Sequence, residues 1–212
     1  MTQTAEERHL FDAADLPALE ALCATGQELA ALGMLPATSG NLSLRLPGGR
    51  ILMTRSGREK GSLTAADLMV ARLGDPAPPG ASAEAPLHLA LYRDDPEIGC
   101  VLHVHSRPAA VLSRRCLPQG ALHLQGWELQ KALAGQHTHE ATVVVPVFDN
   151  DQDTVALATL VSARLAGAAP VPAYLLAGHG LYAWGKDLAQ ARRHVIALDV
   201  LLQSELDLRS LQ

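Results

Sequence analysis

Several features that mark particular protein classes are scarce or missing in this 212-residue chain. The three cysteines, Cys23, Cys100 and Cys116, are an odd number without CxxC spacing, which favours reduced thiols over a disulfide framework or a cysteine-type zinc site. A net charge of −5 argues against a nucleic-acid partner, which requires a basic face. No apolar run approaches the roughly 20 residues needed to cross a bilayer. We therefore predict a cytoplasmic protein with no membrane or nucleic-acid partner.

Aromatic residues make up only 3% of the sequence although 48% is hydrophobic, so the core must consist mostly of leucine, valine and alanine. The length suits one domain, and no internal repeat or low-complexity linker divides the chain. We therefore predict a single domain over residues 1–212. Short helices and strands are interleaved, and several strands are joined by hairpin turns. This pattern indicates an α/β sandwich whose central sheet contains antiparallel pairs.

Hydrophobic spacing and turn residues set approximate bounds for the elements. Helices are predicted over residues 13–35, 83–93, 108–115, 126–133 and 153–166, and from 187 to the C-terminus. Strands are predicted over 38–46 (after an opening polar turn), 50–54, 69–73, 100–106, 142–148, 174–177 and 181–184.

Three histidines could share a metal ion. His103 and His105 stand two residues apart in a short apolar strand, so both side chains emerge on the same face. His179 lies between two glycines where an apolar strand turns into the next. A lone histidine in a strand is more often a hydrogen-bonded core residue, and Gly-His-Gly alone is more often an exposed turn. Together the three predict a catalytic type of metal site, with a coordination position open for water or substrate.

Two small polar loops could hold an anion. Ser39, Gly40 and Asn41 form one loop, and Ser56 and Gly57 form the other, with Lys60 close behind it; these are candidate phosphate-binding residues. Hydroxyls, free backbone N–H groups and an ammonium all favour an anion, although Ser-Gly turns are common without one. Neither loop matches a nucleotide-binding fingerprint.

Two carboxylates could act as a general base beside such a metal, Glu84 at the start of a helix and Glu128 on another. Each also has a structural explanation. Glu84 complements the helix dipole at an N-terminus, and Glu128 belongs to a solvated helix face. Spacing alone does not decide whether either residue is a general base or has only a structural role.

The complete set of motifs resembles the class II aldolase/adducin-head family over nearly the whole chain. The resemblance is carried by residues 38–43, 54–57, the helix after Glu84, the His103-Val104-His105 segment and the Gly178-His179-Gly180 turn. It implies a three-layer α/β/α sandwich around a largely antiparallel sheet. It also implies tetramers with active sites at subunit interfaces, one zinc ion per subunit on the three histidines, and a substrate phosphate against the two polar loops.

Two further stretches, 126–135 and 145–153, resemble the branch of this family that dehydrates 5-methylthioribulose 1-phosphate in methionine salvage. That branch places its general acid/base at the position of Glu128. Aldolases of the family instead use a glutamate at the position of Glu84, preceded by two phosphate-binding serines, whereas this chain has Ser82 followed by Ala83. The resemblance therefore favours a zinc-dependent dehydratase over its aldolase relatives.

Two alternatives stay open beside the dehydratase, and a third is disfavoured. A class II sugar-phosphate aldolase or epimerase would use Glu84. A non-catalytic adducin-like interaction module would need no metal. A cupin-like β-barrel also combines a His-x-His pair with a distant histidine, but the helices predicted over 83–93 and at the C-terminus fit an all-β barrel poorly.

Overall fold

The computed structural model describes residues 11–166 and 171–211. Within these ranges five α-helices and eight β-strands follow one another along the chain. The helices are α1 Leu16–Ala31, α2 Ala85–Asp94, α3 Arg107–Cys116, α4 Thr154–Leu165 and α5 Leu188–Ser210. The strands are β1 Asn41–Leu46, β2 Arg50–Thr54, β3 Leu68–Arg72, β4 Cys100–Val104, β5 Ala121–Leu124, β6 Val143–Phe148, β7 Ala173–Leu176 and β8 Gly180–Gly185.

The strands form one sheet in the order β3-β2-β1-β4-β8-β7-β6-β5. Every neighbouring pair is antiparallel except β6 and β7, which run parallel. Strand β4 therefore lies near the middle of the sheet, and β5 lies at one edge.

Apolar side chains alternate between the two faces of this sheet, as the pleat requires. Leu102 belongs to a core cluster packed under α1, α3 and α5, whereas its neighbour Val101 belongs to a second cluster packed under α2 and α4. Helices thus cover both faces. The predicted three-layer α/β/α sandwich with a largely antiparallel sheet is confirmed, and the β-barrel alternative is wrong.

Three elements differ from the prediction. The first helix ends at Ala31, and Gly33 follows it with a φ of 75°. The predicted helix over 126–133 is a 3₁₀ turn over Glu128–Ala132, bounded by Gly126 and Gly135. Strand β5 was not predicted, because four residues of an edge strand give too short an alternation to recognise.

Among the residues that the structure places, none of the helices is both long and apolar enough to traverse a bilayer. All three cysteines are buried free thiols.

Candidate active site

The imidazoles of His103, His105 and His179 converge on one point at the end of β4. His105 Nε2 lies 2.9 Å from His103 Nε2 and 2.9 Å from His179 Nε2, and the remaining pair is 3.3 Å apart. His103 is the last residue but one of β4, and His105 follows the strand directly. His179 arrives on the β7–β8 turn, because β8 pairs antiparallel with β4 and so begins where β4 ends.

Hydrogen bonds on the far side of two rings hold their Nε2 atoms toward this point. His103 Nδ1 donates to the carbonyl of Leu181 at 3.1 Å, and His179 Nδ1 lies 3.0 Å from the side-chain oxygen of Asn150. An imidazole that donates through Nδ1 keeps an unprotonated Nε2, which is the form that binds a metal ion. The geometry therefore fixes the tautomer that a shared cation needs.

Glu84 joins the three histidines. Its Oε1 lies 3.4 Å from His103 Nε2 and 3.1 Å from His179 Nε2, while Asn41 Nδ2 donates to its Oε2 at 2.6 Å. Each of the four side chains offers one atom that could bind a metal ion, and these four atoms all lie within 4.8 Å of one another. Three imidazoles and a carboxylate suit zinc and other divalent transition metals. Of the two explanations for Glu84, the structure favours a role in the site.

The electrostatics of this cluster also suit a cation. Burial, together with the neighbouring imidazoles of His103 and His179, lowers the pKa of His105 to about 3. Burial alone would raise the pKa of Glu84, but electrostatic and hydrogen-bonding interactions with His103, His179 and Asn41 outweigh it and hold that pKa well below its ordinary value. At neutral pH the site thus offers a neutral His105 imidazole and an ionised carboxylate, both ready to bind a metal without first losing a proton.

A column of aromatic rings supports the cluster from beneath. The Tyr182 ring stacks on His103 with centroids 3.9 Å apart, and Tyr174 stacks on Tyr182 at 4.7 Å. These tyrosines are register partners on β7 and β8, and both are fully buried. The sequence contains only three tyrosines, and the prediction gave them no role. The only feature of the sequence that could have indicated this stacking is the presence of one tyrosine in each of two apolar strands.

Two glycines let the backbone close around His103. A Cβ on Gly180 would lie 2.2 Å from the carbonyl oxygen of Val104 and 3.1 Å from His103 Cε1. A Cβ on Gly40, whose φ is +70°, would lie 2.6 Å from the His103 carbonyl oxygen. Both positions exclude a side chain because neighbouring backbone leaves no room. Gly40 and Gly180 are therefore required by the packing around β4.

Replacing Gly180 with alanine is expected to destabilise the protein by about 1–3 kcal/mol, since the new methyl group must displace the β4 backbone. The shift would also move His103 and weaken metal binding. Chemical denaturation and metal titration would measure both effects. Gly61→Ala is the matched control, because a Cβ there meets nothing closer than 3.6 Å. Equal stability of the two variants would contradict the packing argument.

The first polar loop lies against the cluster, and Lys60 ties it to the second. Asn41 is the register partner of His103, and the hydroxyl of Ser39 is buried without a hydrogen-bond partner among the described residues. Lys60 Nζ donates to the carbonyls of Thr38 at 2.7 Å and Arg58 at 2.8 Å. The ammonium, predicted as a phosphate contact, is thus buried between the two loops that it joins, and burial lowers its pKa.

The second loop is open to solvent. Ser56 and Gly57 are exposed, and Ser56 donates its backbone N–H to the carbonyl of Gly80 at 3.0 Å. The Ser56 hydroxyl and the Gly57 backbone lie at the surface just after β2.

Glu128 does not join this cluster within one chain. The antiparallel pairings direct β4 and β5 oppositely, so Glu128, four residues after β5, lies at the other end of the sheet from His103. Four strand spacings also separate β5 from β4, or about 19 Å across the sheet. The Glu128 side chain is 72% exposed, is paired with Lys131, and has Oε2 3.6 Å from His139 Nδ1. The hydrogen bond from Lys131 lowers its pKa.

Comparison with known proteins identifies a matching protein family and several similar proteins. Residues 20–206 match the family model described as the class II aldolase and adducin N-terminal domain. A methylthioribulose-1-phosphate dehydratase from Bradyrhizobium sp. strain BTAi1 is 50% identical over 211 residues, covering 97% of this chain and 98% of the relative. A protein of the same name from Sorangium cellulosum is 50% identical over 178 residues, covering 82% and 84%.

Solved structures agree with this assignment at the level of the fold. The crystal structure of L-fuculose-1-phosphate aldolase from Thermus thermophilus superposes with a TM-score of 0.76 at 32% identity. The match covers 92% of this chain and 95% of that aldolase.

Proposed function

The chain belongs to the class II aldolase and adducin N-terminal domain family, and from this membership we propose that it is a metal-dependent lyase of methionine salvage. The reaction is the dehydration of 5-methylthioribulose 1-phosphate to 2,3-diketo-5-methylthiopentyl 1-phosphate. The observation that carries the proposal is the convergence of three imidazoles and a carboxylate in a chain half identical to dehydratases of that name. We propose one domain over residues 1–212, acting in the cytoplasm.

Zinc is the proposed cofactor, with one ion per subunit held by His103, His105 and His179. The donor set fits zinc because three Nε2 atoms converge while backbone and amide oxygens hold two of the rings by Nδ1. When bound, zinc supplies Lewis-acid stabilisation of the negative charge that develops on a ketone oxygen, a contribution of several kcal/mol. Glu84, whose Oε1 lies close to His103 Nε2 and His179 Nε2, would be within reach of a cation held by the histidines.

The chain's own groups then have to transfer protons to and from the substrate and release one water. The substrate carries a ketone at C2, a hydrogen at C3 and a hydroxyl at C4. A carboxylate takes the C3 proton, the C3–H electron pair forms the C3–C4 double bond, and the C4 hydroxyl leaves as water after protonation. The resulting enol, which carries its hydroxyl at C3, takes up a proton at C4 and loses the proton of that hydroxyl, and so becomes the 2,3-diketone. We assign the acid/base role to Glu128, with Glu84 as the second candidate.

The phosphate is proposed to lie against the two polar loops. Ser39, Gly40 and Asn41 adjoin the cluster, and Ser56 and Gly57 present a hydroxyl and backbone at the surface. Lys60 joins the two loops and adds a positive charge close to both. Such a combination favours an anion.

We propose that the active site is completed by a second copy of the chain in a homotetramer. Glu128 and the histidines lie at opposite ends of the same sheet, so a Glu128 carboxylate that acts at the metal has to come from a neighbour. An exposed Glu128 beside the exposed side chains of Lys131 and His139 is compatible with a subunit contact.

A direct assay tests this function. Purified protein incubated with 5-methylthioribulose 1-phosphate is expected to produce the diketone, measured by NMR or by trapping with a dicarbonyl reagent. Removing the metal with a chelator should abolish diketone formation, and added zinc should restore it. Substrate that stays unchanged with metal-loaded protein would refute the dehydratase proposal.

An aldolase or epimerase is the second candidate function, because Glu84 is the carboxylate found at the cluster within one chain. The Ser82 hydroxyl supports this part of the site, since it accepts from the Glu84 backbone N–H at 3.2 Å and from Asn41 Nδ2 at 3.3 Å. Release of dihydroxyacetone phosphate from ketose 1-phosphates would favour this candidate. Metal analysis tests the remaining alternative, a non-catalytic interaction module, because such a module requires no bound ion.

A further inference from the structure

The turn that carries Glu128 is anchored far more firmly than an exposed loop needs to be. The Gly126 N–H donates to the carbonyl of His139 at 2.7 Å. Gln130, fully buried two residues after Glu128, accepts from the Trp127 N–H at 3.1 Å and donates through its amide group to the carbonyl of Ala141 at 2.8 Å. Both ends of the Gln130 amide are therefore used to shape the turn.

A buried carboxylate on α5 supplies the strongest anchor. Glu205, only 8% exposed, accepts the indole N–H of Trp127 at 2.8 Å and the Arg209 Nε–H at 3.1 Å. Burying a carboxylate is costly unless hydrogen bonds compensate it, so these two donors belong to one unit. The residue directly before Glu128 is thus tied to the long helix that packs on the sheet.

We propose that Trp127, Gln130 and Glu205 are positioning residues, which hold Glu128 in the orientation that it needs at a neighbouring subunit's metal site. The inference rests on the proposed function. A solvated glutamate has no use for a rigid support, whereas a proton-transferring carboxylate must be held within about 0.5 Å of its working position. A misplacement of about 1 Å costs about a hundredfold in rate.

Trp127→Phe tests the anchor, because it keeps an aromatic ring and removes the N–H donor. We expect kcat to fall about 10- to 100-fold, with KM and metal content unchanged. Glu205→Leu should cause a similar loss, whereas Glu205→Gln should retain most activity because an amide oxygen still accepts the indole N–H. The control is Trp184→Phe, at the only other tryptophan in the sequence. Wild-type kcat in both Trp127→Phe and Glu205→Leu would overturn the proposal.

The same substitution in a Glu128→Gln background separates positioning from general damage. If Trp127 acts through Glu128, Trp127→Phe should cause no further loss in the residual turnover of Glu128→Gln. An equal further loss would mean that Trp127 acts independently of Glu128, and would overturn the inference. If Glu128→Gln itself keeps full activity, the proposed role of Glu128 fails first.

Discussion

Replacing His105 with alanine is expected to remove the bound metal and to lower turnover about a thousandfold, since a Lewis-acid contribution of several kcal/mol disappears. His105 is the best of the three histidines to replace. Its Nε2 lies 2.9 Å from both other Nε2 atoms, yet it lies beyond the last residue of β4. His103, in contrast, is fully buried and stacked on Tyr182, so its loss would also damage the core.

Metal content per chain, measured by mass spectrometry, and diketone formation would check this result together. His123→Ala is the matched control, because His123 is exposed on β5 and outside the cluster. The control should keep its metal and its activity. Added zinc should raise the denaturation midpoint of the control protein but not of His105→Ala, because only a protein that binds the ion is stabilised by it. Full metal occupancy in His105→Ala would exclude the shared-cation site.

The histidine cluster could be predicted from sequence because two of its members, His103 and His105, lie in one short segment. A spacing of two residues in a strand places His103 and His105 on one face whatever the rest of the fold does. To place His179 beside the other two histidines, one has to assume that β8 returns next to β4. The structure has this arrangement, since His103 on β4 is the register partner of Tyr182 on β8. The sequence identifies Glu84 as a candidate general base. Its approach to His103 depends on how α2 packs, and no local sequence pattern specifies that packing.

Features that depend on tertiary packing could not be predicted. The stacking of Tyr182 on His103 requires two strands in register, and each tyrosine alone is simply an apolar strand residue. Lys60 resembles an exposed phosphate ligand in sequence, but it is 1% exposed because the carbonyls of two loops close around its ammonium. The sequence predicts a helix at the Glu128 turn, because its apolar residues have helical spacing. That spacing extends over too few residues to distinguish an α-helix from a 3₁₀ turn.

Replacing Glu128 with glutamine is expected to lower turnover by about 10²–10⁴-fold, the range typical of a lost general acid/base. Zinc content should be unchanged, because the substitution leaves the side chains of the candidate metal site, His103, His105, His179 and Glu84, intact. Glu84→Gln provides the comparison, since it alters the carboxylate beside the histidines. Near-normal turnover of Glu128→Gln combined with an inactive Glu84→Gln would reverse the role assignment.

Mixing two inactive variants tests where Glu128 acts. Subunits with Glu128→Gln keep the histidines, and subunits with His105→Ala keep the acid/base, so a mixed tetramer can hold complete sites only if each site combines two chains. Equal amounts, unfolded and reassembled together, should regain about a quarter of wild-type turnover, because half of the metal-binding chains at random meet a neighbour with an intact Glu128. Each variant reassembled alone should stay inactive. No recovery in mixtures whose mixed assembly is verified by native mass spectrometry would place the catalytic carboxylate within the same chain, where Glu84 is the group that reaches the metal.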